Sequence, residues 1–590
     1  MQLRLGANKQ GGTSVAYFSM EIALSQRLPT YSGGLGVLAG DTLMAAADVA
    51  LPVVAVTLLY RHGYFVQTLD EKGKQAEAPV AWRPEDVLER LPNEVSVQIE
   101  GRKVKVGAWL YRITGAKGHE VPVVFLDTDV EGNVPADRAL SHKLYGGDET
   151  YRLSQEIVLG HGGVAMLASL GFEPAASAFG PGVGTYHMNE GHAALLTTAL
   201  LAGRLAGRAL SSASAEDMAW VKERCVFTTH TPVPAGHDTF DLALVKRLLG
   251  ADQAAALEAF EVCLKGRLNM TELAMCFSRF VNGVAKRHAE VSRRMFPGSA
   301  VAAITNGVHA ATWTADAIRA LFDRRVPGWR EDNNLLRHAC ELPLAELRAA
   351  HREAKIALFN EIKARAGIAL DPNVFTVGFA RRATEYKRAD LLFSQLDKLQ
   401  ALGDKHGGLQ IVFAGKAHPK DLGGKRLIEN VFAAAQKLAA SKVRVVYVPN
   451  YDLSFGRLVT SGVDLWLNNP VKPLEASGTS GMKAAINGVP NLSTLDGWWV
   501  EGHVEGVTGW EIEDPADAFG AAKDDGKFRD VAAASIYRKL DELILPLWKE
   551  RPDAFAEVMR WSIALNGPYF NTQRMVLQYQ IQAYTIARRA

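Results

Sequence analysis

The sequence predicts an α/β protein built as two doubly wound domains that face each other across a deep cleft. Three observations carry this expectation. Short apolar runs of strand length recur in both halves, separated by helical patterns, as in the βαβ units of parallel sheets. Glycine-rich stretches join several of these runs to the helix that follows. The chain has 590 residues, too many for one hydrophobic core.

Composition narrows the class. Hydrophobic residues at 48% and charged residues at 22% are ordinary for a globular enzyme. A formal net charge of +2 gives no electrostatic case for nucleic acid or an anionic membrane as a partner. Cys225, Cys263, Cys276 and Cys340 show no CxxC or metal-finger spacing and read as reduced thiols. The opening MQLRLGANKQGGTS has no apolar signal core, and the run from Val49 to Tyr60 contains Pro52 and is too short to span a bilayer. A cytoplasmic enzyme is the expectation.

In chain order, Val15–Glu21 alternates as a strand. YSGGLGVLAG (31–40) reads as a glycine loop running into a helix at DTLMAAADVA, with a helix N-terminus as a seat for an anion. Val53–Leu59 is a continuous apolar strand of the parallel-sheet kind. Residues 66–150 read as an antiparallel excursion. Tyr151–Leu170 and His192–Leu210 are helical patterns. The strand beginning at Cys225 delivers Thr228, Thr229, His230 and Thr231 at its carboxyl end, where open α/β sheets bind ligands. ITNGVH (304–309) repeats the theme with Asn306 and His309. Residues 315–370 read as a helical connection, and strands follow at 375–382, 409–415, 443–449 and 463–468. Trp561–Ala590 reads as a last helix after a Gly-Pro break, docked on a neighbouring domain.

The chemistry concentrates in a few segments. EASGTSGMK (475–483) lies between an apolar strand and AAINGV, read as the first turns of a helix. Gly478 and Gly481 allow close approach of backbone N–H groups to a phosphate, and Lys483 projects an amine beside it. Such an amine is either a phosphate clamp or a Schiff-base former with pyridoxal phosphate; spacing does not choose. The loop lacks the P-loop spacing. ARRATEYKRAD places Arg381, Arg382, Lys387 and Arg388 after a strand, which suits phosphate recognition as well as a solvated basic turn. Lys416 and His418, at another strand end, line the same cleft or the surface. His187, His192, His230 and His237 lack metal-ligand spacing, and no G-x-S-x-G elbow occurs. Asp496 and Glu501 are a weaker candidate for paired glycosidase carboxylates.

Taken together in order, AYFSMEIAL, YSGGLGVLAGDTL, LLYRHGYFVQ, THTPV, ITNGV, EYKR, EASGTSGMKAAINGVPNLSTLDG and FNTQRMV resemble the α-glucan (glycogen, starch and maltodextrin) phosphorylases, in their short bacterial and archaeal branch. The resemblance runs from about Val15 to the C-terminus. It implies two Rossmann-like domains of the GT-B type, here divided as 1–315 and 316–562, with a helix over 563–590 crossing back to the first domain. It implies a glycosyltransferase that cleaves the terminal α-1,4 glucosyl bond with inorganic phosphate, releasing α-glucose 1-phosphate with retained configuration. The cofactor would be pyridoxal phosphate, bound as an imine to Lys483, with its phosphate relaying protons.

By motif position, Arg382, Lys387 and the backbone at Gly34 would bind the substrate phosphate. Thr479, Ser480, Arg381 and Tyr451 would lie about the cofactor. Tyr386, Glu475, Ser477, Gly478, Asn306 and His192 would hold the glucosyl unit, with the His230 backbone carbonyl at the transition state. Partners would be glucan, phosphate and glucose 1-phosphate, with no nucleic acid or membrane, and, as is common in the family, a homodimer. Asp452 stands where long family members carry an arginine for the cofactor phosphate, so that charge must be neutralised by another route. With no room before Val15 for the animal enzymes' regulatory segment, phosphorylation-controlled allostery is not expected. The alternatives are a nucleotide-sugar transferase of the glycogen-synthase type and a silent glucan-binding homologue; Lys483 argues against the first, and its retention with Arg382 and Lys387 against the second.

Overall fold

The computed structural model describes residues 14–175, 182–233, 236–515 and 526–585. Residues 1–13, Pro234 and Ala235 of THTPVPAGHD, and the end of the last helical pattern at 586–590 lie outside the described residues.

The first half is organised on a nine-stranded sheet. Its strands are β1 (Ser14–Ser19), β2 (Val53–Leu58), β3 (Glu89–Ile99), β4 (Arg102–Thr114), β5 (Glu120–Asp127), β6 (Val183–Asn189), β7 (Cys225–Thr228), β8 (Phe280–Gly283) and β9 (Val301–Ala303). The spatial order is β9-β8-β7-β6-β1-β2-β5-β4-β3. Pairing is parallel from β9 to β5 and antiparallel for the two outer strands. The second half carries a six-stranded, all-parallel sheet: β10 (Thr376–Ala380), β11 (Leu409–Ala414), β12 (Val443–Val448), β13 (Leu465–Asn468), β14 (Asn491–Thr494) and β15 (Gly509–Ile512), in the order β12-β11-β10-β13-β14-β15. Central strands of both sheets are buried on both faces, which explains their unbroken apolar runs. The reading from sequence lacked β14 and β15, four residues each, because NLST and GWEI are too short and too polar to stand out.

Chain order reverses beside β1 in the first sheet and beside β10 in the second. Such switch points open a crevice at the strands' carboxyl ends, where ligands bind.

Two helices start earlier than the sequence indicates. Helix α1 spans Gly34–Asp48, so Gly36 and Gly40 sit inside it rather than in a loop. The reason is packing: a Cβ on Gly40 would stand 1.8 Å from the Ala23 carbonyl oxygen, so only glycine lets the helix lie against that strand end. Downstream come α2 (Leu344–Ala366), α3 (Leu453–Gly462), α4 (Thr479–Ile486) and α5 (Thr572–Tyr579). Lys483 therefore lies within α4, not in the loop before it. Gly478 caps α4 with φ of +86°, a conformation that favours glycine, and turns the chain into the helix.

The last helix returns to the first half. Met575, Val576 and Tyr579 of α5, with Ala583, are buried in one apolar cluster with Val15, Tyr17, Leu43 and Val53. The Tyr579 hydroxyl meets Thr228 Oγ1 at 3.0 Å and accepts from Asn282 Nδ2 at 2.9 Å. Tyr584 meets His187 Nδ1 at 2.7 Å, so His187 is a buried structural residue behind the sheet. A hairpin of Val66–Leu69 and Gln75–Ala78 crosses in the opposite direction: Gln67 and Asn450 exchange hydrogen bonds of 3.2 and 2.8 Å. Among the described residues no helix is long and apolar enough to cross a membrane.

Candidate active site

Between the two sheets lies a cleft of about 1430 Å³. All fifteen residues named for a site from the sequence line it: Gly34, His192, His230, Asn306, Arg381, Arg382, Tyr386, Lys387, Tyr451, Glu475, Ser477, Gly478, Thr479, Ser480 and Lys483. They come from strand ends of both sheets and from the N-termini of α1 and α4. Backbone N–H groups at these helix starts carry partial positive charge; just before α1 the Ser32 and Gly33 N–H groups already donate to the Glu21 carboxylate, Gly33 at 3.1 Å. A Cβ at Gly33 or Gly34 would meet nothing within 4 Å, so this helix start faces open cleft.

The buried amine of Lys483 stands 3.3 Å from the centroid of the Trp313 ring, over its face. Burial lowers its pKa to about 8, and the carboxylate of Asp41 opposes that shift. At neutral pH a usable fraction is thus neutral and nucleophilic, unlike an exposed lysine. The basic segment divides. Arg381 and Lys387 are buried and both pair with Glu475, Lys387 Nζ at 2.9 Å. Burial works against the Glu475 carboxylate, but Arg381 and Lys387 outweigh it and hold its pKa at about 2. Arg382 is exposed to the cleft and makes no ion pair among the described residues. Arg388 is not part of the site: its guanidinium is buried against the Asn469 and Pro470 carbonyls and Asp514. Glu475 itself, expected at the sugar, is engaged with two cations.

Several polar atoms of cleft-lining residues are buried without a protein partner: Arg381 Nη1, Ser477 Oγ, Ser480 Oγ, Asn306 Oδ1 and His192 Nδ1. Buried polar groups are rarely left so, and their convergence marks a ligand site. His230 is fixed by Glu190, which accepts from its backbone N–H at 2.7 Å, and by Asn189, 2.7 Å from Nε2. Burial lowers its pKa to about 3, so it is neutral. Glu190 adopts φ of 75° to reach this loop. His192 pairs with Asp238 at 3.2 Å. Lys416 and His418 also line the cleft, and burial lowers Lys416 to about 8.

Other candidates fall away. Asp496 is buried and accepts from the backbone N–H groups of Glu475 and Gly497, while Glu501 accepts from Thr305 and Lys286. Both hold loops, so they are not a glycosidase pair. Asp452 accepts from Phe455 N at 2.8 Å, capping α3, and pairs with Arg365 at 3.0 Å. Its charge is thereby answered by α2, a contact no linear motif reveals. Trp313 and Glu190 line the cleft, with Asp41 buried behind the Trp313 indole, and motif reading did not single them out; for Trp313 no charged neighbour exists in ATWT.

Two doubly wound sheets facing each other across a cleft lined by a buried lysine and several cations define the class, a two-domain α/β enzyme. Residues 250–525 match the model of the carbohydrate phosphorylase family. The chain is 38% identical to a maltodextrin phosphorylase of Thermococcus litoralis, over 97% of this chain and 70% of that protein. It is 36% identical to a glycogen phosphorylase of Mycobacterium tuberculosis, covering 98% and 71%, and 33% identical to one of Aquifex aeolicus, covering 97% and 86%. The chain belongs to the carbohydrate phosphorylase family.

Proposed function

We propose that this protein is an α-1,4-glucan phosphorylase, which transfers terminal glucosyl units to inorganic phosphate and releases α-glucose 1-phosphate. The observation that carries the reading is that the buried Lys483 amine lines one cleft with several unpartnered buried polar atoms and with the cations Arg381, Arg382 and Lys387. One phosphate would leave much of this set unused; a substrate phosphate beside a cofactor phosphate accounts for it.

The residues fit pyridoxal phosphate. Lys483 supplies a buried amine of lowered basicity for covalent attachment, with the Trp313 ring beneath it. Ser480 Oγ, the start of α4 and Arg381 Nη1 offer free donors for the cofactor phosphate, with Tyr451 at the same wall. Once bound, the group supplies a phosphate that carries protons to and from the substrate phosphate. The rest falls to the chain. Arg382 and Lys387, with the start of α1, bind and orient the substrate phosphate. Glu475 holds Arg381 and Lys387 in place and keeps two buried cations from repelling each other. Neutral His230, braced by Glu190 and Asn189, fixes the backbone carbonyl that faces developing positive charge on the sugar. Asn306, His192, Tyr386, Ser477 and Gly478 hold the glucosyl hydroxyls.

The test is borohydride reduction of the purified protein, peptide mapping around Lys483, and a phosphate-dependent assay on maltodextrin. A pyridoxyl adduct on Lys483 with release of glucose 1-phosphate is expected, and Lys483→Ala loses both while staying folded. Turnover of a nucleotide sugar without phosphate, or full phosphorolysis by Lys483→Ala, overturns the reading.

A further inference from the structure

Lys483 does not meet the rest of the molecule through its amine alone. The indole over which it sits is held by a buried carboxylate on α1. Trp313 Nε1 donates to both oxygens of Asp41, at 2.9 and 2.8 Å. The same carboxylate accepts from the His309 backbone N–H at 3.1 Å. Asp41 lies two helical turns after Gly34, on the same face of α1, and is 3% exposed. Within 4.0 Å of the Lys483 amine there is no carboxylate among the described residues. The ammonium thus rests on the ring face while a carboxylate takes the N–H at the ring edge. A carboxylate on the indole N–H pushes electron density into the ring and strengthens its hold on a cation.

We propose that Asp41 is a positioning residue for Lys483, which locks the Trp313 indole as the platform of the amine and supplies the negative charge that balances it. The inference rests on the phosphorylase reading for its purpose, since it concerns the lysine that would carry the cofactor. The charged groups facing this network are few. Asp41 meets Lys483 and His309; the His309 imidazole is 2.8 Å from Asp48 on the same helix. Burial raises the Asp41 pKa, and Lys483 and His309 oppose the rise. The two buried charges therefore support each other's ionised forms, one over the face of an aromatic ring and the other at its edge.

The experiment measures the charge state of Lys483 and not turnover. Cofactor-free protein is mixed with pyridoxal phosphate over a range of pH, the adduct is trapped with borohydride, and attachment at Lys483 is read by peptide mapping. The wild-type rate should rise with a midpoint near 8. In Asp41→Asn the midpoint should fall by about one pH unit, making attachment at pH 7 about fivefold faster. Asp48→Asn, which removes a carboxylate from the same helix but not from the indole, should leave the midpoint in place. An unchanged midpoint in Asp41→Asn, or an equal change in Asp48→Asn, overturns the proposal. Absence of attachment in wild type overturns the cofactor reading instead. A second measurement needs neither cofactor nor an Asp41 variant. Lys483→Met leaves Asp41 without its counter-charge, so burial raises the Asp41 carboxyl further in the variant, and the variant's melting temperature should fall progressively relative to wild type as pH rises from the ordinary carboxylate range toward the titration of the amine. A constant offset across that range sinks the proposal.

Discussion

Replacing Glu475 by glutamine removes one charge from a buried triad while keeping its shape. Both Arg381 and Lys387 pair with this carboxylate, and it is 7% exposed. Its pKa falls from the ordinary 4.5 to about 2. At about 1.4 kcal/mol per pH unit, that difference is worth about 3 kcal/mol at neutral pH. The sign is that of a depressed carboxylate: the contribution is complete above the unfolded value near 4.5 and is lost as pH falls through the folded value near 2. Glu475→Gln should therefore be less stable than wild type by about 3 kcal/mol at pH 7, with the gap closing below about pH 4.5. Calorimetric unfolding of both proteins over that range gives the comparison. Phosphate supplies an independent readout, since with the carboxylate gone Arg381 and Lys387 no longer share their charge between Glu475 and an anion. Added phosphate should then raise the variant's melting temperature more than it raises the wild type's. Equal stability at pH 7, or a gap that does not depend on pH, would refute the reasoning.

Two further outcomes follow from the same geometry. Arg382→Ala should lower phosphate-dependent turnover by roughly two to three orders of magnitude while leaving the fold intact, because this exposed guanidinium faces the cleft without an ion pair among the described residues; initial rates against phosphate concentration read the loss. Tyr579→Phe strips the hydroxyl from Thr228 and Asn282 and should cost about 1–3 kcal/mol, seen as a lower melting temperature and faster proteolysis of the C-terminal helix.

Much of the site was legible because it is built from contiguous segments at strand ends. The run from Glu475 to Lys483 holds a cap, a helix start and the amine in nine consecutive positions, so reading it in line is close to reading it in space. Its helix boundary was misplaced because glycine and serine look like loop formers until the helix they open is seen packed. The basic segment shows the opposite difficulty. Arg381, Arg382, Lys387 and Arg388 look alike in sequence, yet two are paired with Glu475, one faces the cleft and one is buried against Asp514. Those fates depend on residues 90 to 130 positions away, which no local pattern encodes. The same holds for Asp452, whose partner Arg365 lies 87 residues earlier, and for Trp313, an indole with no motif around it.

The return of α5 to the first sheet has a consequence for how the protein is made. Met575, Val576, Tyr579 and Ala583 fill an apolar trough beside Val15, Tyr17 and Val53, at the other end of the chain. During synthesis the first half leaves the ribosome with that trough uncovered. At about 5–20 residues per second, roughly a quarter of a minute to a minute then passes before the covering helix emerges. Through that interval the nascent protein presents an oily seam that chaperones or other chains can reach. A premature stop anywhere before residue 575 leaves the seam open for good, so even a product retaining every cleft residue would be an aggregation-prone fragment.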